Sequence, residues 1–261
     1  LVPRRHAPLC CALQAMVFPA QLASRSCPSL RFPLSAPRRP LIDALRGLAA
    51  VWVVLFHLDA VNAGSANGWR TFCQQGWLGV SVFFVISGYC IAAIASKETR
   101  VTAFLAARFA RIYLPYWASL AVVLGVIAIR YLWTGVNDVS VLPNDFLSWI
   151  ATLALATAPA SNIPTVNWVY WSLTYEVAFY LIVALGIVLR RPTHVVGGTT
   201  LVAACWAWAM SDPLPQGLFF LRHFPLFALG WSVWENRRSR LAVPLFALAF
   251  GAACLSHARA E

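Results

Sequence analysis

Apolar residues in this chain come in long unbroken blocks, with neither the alternation of a half-buried strand nor the narrow stripe of a soluble amphipathic helix. Seven such blocks fall at about 41–60, 76–96, 112–132, 168–189, 195–211, 217–235 and 241–257. Each approaches the roughly 20 apolar residues that an α-helix needs to cross about 30 Å of hydrocarbon. The pattern predicts an all-α, polytopic transmembrane helix bundle of about seven spans. Between the third and fourth blocks, Asp145–Thr157 is apolar but too short to span, and reads as an interfacial or re-entrant helix. Residues 1–38 are rich in Pro, Arg, Ser and Cys, with no period of either kind. Arg4-Arg5 ahead of Leu9–Ala20 faintly resembles a signal peptide, but Pro19 breaks the apolar run, so 1–38 reads as a disordered or adventitious extension. The remainder, 39–261, reads as one helical membrane domain.

Composition agrees with the pattern. The chain is 60% hydrophobic and 11% charged, whereas soluble domains carry about 25% charged residues. A net charge of +11 invites a nucleic-acid reading, but the placement of the charges argues otherwise. With the N-terminus in the cytoplasm, that side receives Arg38, Arg39, Arg46, Lys97, Arg100, Arg108, Arg111, Arg190, Arg191, Arg237, Arg238 and Arg240. The other side receives only Arg70, Arg130, Arg222 and Arg259. Twelve against four is the positive-inside asymmetry of a multi-pass plasma (inner) membrane protein. The seven cysteines form no CxxC pair and have no His at ligand spacing, so no metal or bound cofactor is expected. Cys90, Cys205 and Cys254 lie in apolar blocks and read as small core residues.

Against this background the polar residues inside the spans stand out, because a charge at a helix centre costs about 2.5–3.5 kcal/mol on insertion scales. Arg46 and His57 are eleven residues apart. At about 100° and 1.5 Å per residue they leave one face of a helix about 16 Å apart. Asp59, two residues beyond His57, points elsewhere. In GWLGVSVFFVISGYC (76–90) the glycines and serines suit close helix packing; Ser87 lacks a nucleophile elbow. Arg108 and Arg111, at i and i+3, make a fork at the cytoplasmic entrance of the third span, suited to phosphate oxygens or to anionic headgroups. Ser172, Glu176 and Tyr180 recur at i, i+4 and i+8, one polar stripe in an apolar span. Trp168 and Trp171 read as outer aromatic-belt residues, with His57 and Arg222 as candidate partners for Glu176. Arg222-His223 also fits an interface anchor, and Pro225 either kinks the sixth span or marks its effective start.

Five of these stretches, IDALRGLAAVWVVLFH (42–57), GWLGVSVFFVISGY (76–89), RFARIYLPYW (108–117), WSLTYEVAFY (171–180) and FPLFALG (224–230), together resemble the acyltransferase-3 family of integral-membrane O-acyltransferases. Members modify bacterial O-antigens, exopolysaccharides and nodulation factors. The resemblance implies an acyl-CoA donor entering from the cytoplasm and a glycan or lipid-linked sugar hydroxyl as acceptor. It implies His57 as catalytic histidine with Arg46 as its partner, Arg108 and Arg111 as donor-binding residues, and Glu176 as the acidic residue of the fourth-span motif. Beside these, Ser172, Tyr180 and Arg222 are candidates from the residues themselves for an acceptor or supporting role. The family's domain has about ten spans, so this chain is expected to lack the last three.

The chemistry is compatible. A thioester is already activated, and the poor reactant is the hydroxyl, which needs a base as it attacks; a neutral imidazole suits that role. An acyl-histidine intermediate is the alternative route. Two other readings stay open from the residues alone: a transporter or flippase of a lipid-linked sugar, though the two halves show no internal repeat, and an inactive, truncated membrane fragment.

Overall fold

The computed structural model describes residues 40–60, 68–98, 100–135, 142–209, 214–236 and 238–258. The expected extension 1–38, and the charges at Arg38, Arg39, Asp138, Asp212, Arg237, Arg259 and Glu261, lie outside the described residues. All regular structure among the described residues is helical. The order is α1 (Pro40–Ala60), α2 (Gly68–Gln74), α3 (Leu78–Ala95), α4 (Val101–Thr134), α5 (Phe146–Leu153), α6 (Trp171–Val188), α7 (Pro192–Ala209), α8 (Phe224–Glu235) and α9 (Ala242–Ala258). Short 3₁₀ turns precede α3, α6 and α8 at Gln75–Trp77, Trp168–Tyr170 and Gln216–Arg222.

Among the described residues, four helical stretches are long and apolar enough to cross a membrane: Pro40–Asp59, Gly68–Ala95, Val101–Thr134 and Trp168–Val188. The three remaining expected blocks are filled by α7, by the 3₁₀ turn with α8, and by the shorter apolar α9. Two of these elements have different limits from those the apolar blocks predict. The helix α4 begins at Val101 rather than near 112, because TAFLAARFAR contains no helix breaker. Arg108 and Arg111 therefore sit well inside α4, which Gly135 ends in the left-handed conformation at φ 68°. In the sixth block, Pro225 falls in the first turn of α8 and marks its start, where its missing N–H costs nothing. Arg222 and His223 thus lie at the 3₁₀-to-α junction.

The bundle is organised around α3, which packs on α1, α6 and α8. At the α3–α8 crossing the backbones touch through Gly88 and Gly230. A Cβ on Gly88 would stand 1.9 Å from the Phe227 carbonyl oxygen, and one on Gly230 would stand 1.8 Å from that of Val85. This close approach lets Phe227 stack on Phe179 at 4.4 Å between ring centroids and lie 4.6 Å from Phe84. Phe179, Val183, Phe224, Phe227, Ala228 and Trp231 are the heart of the core. Of the cysteines expected in the core, Cys205 and Cys254 are exposed and Cys90 is half-buried, while Cys73 is buried. Membership in an apolar span does not choose between the bundle-facing and lipid-facing sides, since both are apolar.

The short helix α5 is held at both ends. Asp145 caps its N-terminus, accepting from the Ser148 N–H at 2.7 Å and the Ser148 hydroxyl at 2.9 Å. At its C-terminus, carbonyls that lack intrahelical partners accept from aromatic donors on α4: Tyr116 to Thr152 at 2.6 Å, Trp117 to Leu153 at 3.0 Å, and Tyr113 to Ala154 at 2.9 Å. The hydrogen bonds from Ser148 hold the Asp145 carboxyl below its ordinary range. A lowered folded-state pKa stabilises the cap above the unfolded pKa and loses that stability as pH falls through the folded value. Asp145→Ala is therefore expected to reduce amide protection across residues 146–149 at neutral pH and to leave it unchanged at a pH below the folded-state value. Hydrogen–deuterium exchange in detergent, expressed as protection factors, checks this.

Candidate active site

The polar residues of α1, α3, α4 and α6 converge on one cavity of ≈ 670 Å³. From α1 come Arg46, Val53, Phe56 and His57, at i, i+7, i+10 and i+11, which is one helical face. The α3 wall presents Ser81, Phe84 and Ser87, and the α4 wall presents Arg111, Pro115, Tyr116 and Ser119. The 3₁₀ turn before α6 supplies Trp168 and Tyr170, the start of α6 supplies Trp171, Ser172 and Glu176, and His223 closes one side. The lining is predominantly apolar and aromatic, as in small-molecule sites, with a few polar groups that fix orientation.

The cavity thus joins Arg46, His57, Arg111, Ser172 and Glu176. The His57 ring lies edge-on to Trp168 at 4.9 Å and to Phe56 at 5.2 Å. Trp168 and Trp171 line the cavity, and so have a part beyond that of an aromatic belt. The Asp59 carboxylate is drawn off toward Arg70, 3.5 Å away, consistent with its direction on the helix. Arg46 donates to the Cys90 sulfur at 3.5 Å. Ser172 donates to the Val169 carbonyl at 3.3 Å while lining the cavity.

Three placements differ from the sequence reading. Glu176 pairs with neither His57 nor Arg222: Ser87 donates to its Oε1 at 2.9 Å, and the Tyr180 hydroxyl donates to the same oxygen. The i, i+4 stripe gives the Tyr180 contact directly, whereas Ser87 arrives from another helix. Arg222 is exposed, and its neighbour His223 takes the place at the cavity, packed against Tyr175 at 4.7 Å, Trp171 at 5.4 Å and Phe84 at 5.6 Å. The signal for this was Pro225, which ends helical periodicity before residue 224 and turns 222 and 223 to different sides. Finally, the two arginines of α4 part company. Arg111 lines the cavity, but Arg108 reaches toward α6 with its guanidinium carbon 6.0 Å from the centre of the Tyr180 ring.

An acyltransferase domain model, that of the acyltransferase-3 family, matches residues 39–258. The chain belongs to the acyltransferase-3 family. Similar proteins include "Putative membrane-bound transacylase BcsY" of Komagataeibacter xylinus, 31% identical over 228 residues, covering 78% of this chain and 53% of that protein. A 59-residue stretch, 23% of this chain, is 39% identical to part of a protein of Staphylococcus aureus strain COL named "Putative O-acetyltransferase", of which it covers 8%. The same identity over the same length holds for the like-named protein of strain N315. The chain spans about half the length of the first of these relatives. No solved structure matches it. Family and apolar helices together make this chain a membrane protein of the acyltransferase-3 family.

Proposed function

We propose that this acyltransferase-3 chain transfers an acyl group, most simply acetyl, from acyl-CoA to a hydroxyl of a cell-surface glycan or exopolysaccharide precursor. One observation carries the reading: cations fit for a phosphorylated donor and a base fit for a hydroxyl acceptor line the same cavity. The charge asymmetry of the sequence supports grouping Arg46 and Arg111 with Arg190 and Arg191 toward the cytoplasmic side. His57 is about three helical turns farther along α1 than Arg46. The donor's phosphates stay among the arginines while its pantetheine arm carries the thioester inward along an apolar wall. His57 removes the acceptor's proton as that oxygen attacks the thioester carbonyl. The C–S bond then breaks, and the departing CoA thiolate takes up the proton. The apolar lining keeps water from competing for the thioester. No bound cofactor is needed, since the donor brings the activated group with it.

Membranes carrying the chain, given radiolabelled acetyl-CoA, are expected to pass label to the glycan fraction; label confined to unreacted donor contradicts the reading. Arg111→Ala should raise the KM for acetyl-CoA about tenfold or more with a smaller effect on kcat. That is the scale of a lost hydrogen bond to a charged group, about 1.5–3 kcal/mol. An unchanged donor KM would move Arg111 from the donor to the lipid headgroups.

A further inference from the structure

The Glu176 carboxylate is held in an asymmetric way. Its Oε1 accepts from two hydroxyls on two helices, Ser87 of α3 at 2.9 Å and Tyr180 one turn along α6. Among the described residues nothing donates to its Oε2, and Glu176 lines the cavity. Behind Tyr180 stands Arg108, its guanidinium over the ring and within electrostatic reach of Glu176. The Arg108 Nε is fully buried and has no hydrogen-bond partner. Arg111 lines the cavity and Arg108 does not, which separates the two in kind. Two donors on one oxygen fix the carboxylate plane and aim the other oxygen. A half-buried cation behind them offsets the desolvation of the anion.

We propose that Ser87, Tyr180 and Arg108 are positioning residues that act through Glu176, presenting its Oε2 to the acceptor hydroxyl in the cavity. This rests on the acyltransferase reading. It divides the α4 arginines between two tasks, Arg111 for the anionic donor and Arg108 for the carboxylate. Ser87 is a hydrogen-bond donor here and takes no acyl group.

The test is a set of double-mutant cycles, in membranes given labelled acetyl-CoA and their own glycan fraction. Ser87→Ala, Tyr180→Phe and Arg108→Met are each expected to lower kcat by about tenfold to a hundredfold, the scale of a hydrogen bond to a charged group. The KM for acetyl-CoA should change less than about threefold. Ser87→Thr, which keeps the hydroxyl, should recover most of the loss. In a Glu176→Gln background each of the three should cost less than about threefold, since residues that act through one group are not additive. Full additive losses in that background, or a raised donor KM with unchanged kcat for Arg108→Met, overturn the proposal.

Infrared difference spectra of protein with ¹³C-labelled glutamate supply a readout independent of turnover. The Glu176 band, identified by its loss in Glu176→Gln, should shift in both Ser87→Ala and Tyr180→Phe. A band unmoved in both overturns the two-donor cradle. If wild-type membranes transfer no acetyl while the band shifts as expected, the acyltransferase reading fails and the cradle stands as a structural feature alone.

Discussion

Replacing His57 with Ala is expected to reduce acetyl transfer by at least about 10²–10⁴-fold, the usual contribution of a positioned general base, while the protein still accumulates and inserts. The second half of that expectation comes from the surroundings of the ring. His57 is half-buried, with Phe56 and Trp168 at edge-on ring contacts, and α1 as a whole is scarcely buried. Removing the imidazole therefore opens little of the core. Transfer from labelled acetyl-CoA, with the protein quantified in the same membranes, checks both parts. His57→Gln, which keeps bulk and hydrogen bonding but cannot take up a proton, should be as inactive as His57→Ala. Transfer retained in either variant would remove His57 from the reaction and leave Glu176 and His223 as the bases among the described residues of the cavity.

The largest expected effect on stability lies at Gly230. An alanine Cβ there falls 1.8 Å from the Val85 carbonyl oxygen and 2.7 Å from the Tyr89 nitrogen. Both are backbone atoms, so no rotamer change relieves the overlap and α3 must part from α8. Overpacking of a core typically costs about 1–3 kcal/mol and sometimes more. Gly230→Ala should reach the top of that range, because separation of the helices also unstacks Phe227 from Phe179 and Phe84. Gly88→Ala should behave alike, with its Cβ 1.9 Å from the Phe227 carbonyl oxygen. The control is Gly125→Ala on α4, where nothing lies within 4 Å. There alanine should be neutral or stabilising by up to about 1 kcal/mol through helix propensity. Thermal midpoints in one detergent give the comparison. A Gly230→Ala protein as stable as wild type would mean that the α3–α8 crossing has slack that the structure does not show.

The sheltered carboxylate also connects these two experiments. Ser87 precedes Gly88, so the close crossing that stabilises the bundle also sets where the Ser87 hydroxyl meets Glu176. A Gly88 variant that survives in detergent should therefore lose turnover beyond its loss of folded protein.

By itself the sequence determined the class, the parts and the likeness. Long apolar blocks in water-incompatible density dictate helices in a membrane, because only a helix satisfies its own backbone there. Helical spacing brings Arg46 with His57, and Ser172 with Glu176 and Tyr180, onto single faces, since those relations depend only on rise and turn. Tertiary structure alone decided which faces meet. Lipid and protein interior are equally apolar, so no pattern distinguishes a cysteine in the core from one against lipid, and Cys205 and Cys254 are exposed. The same blindness hid Ser87 as the donor to Glu176, His223 in place of Arg222, and the turning of Arg108 away from Arg111. Each depends on how one helix is rotated against another. For α3 against α8 that rotation is fixed by where Gly88 and Gly230 allow two backbones to touch.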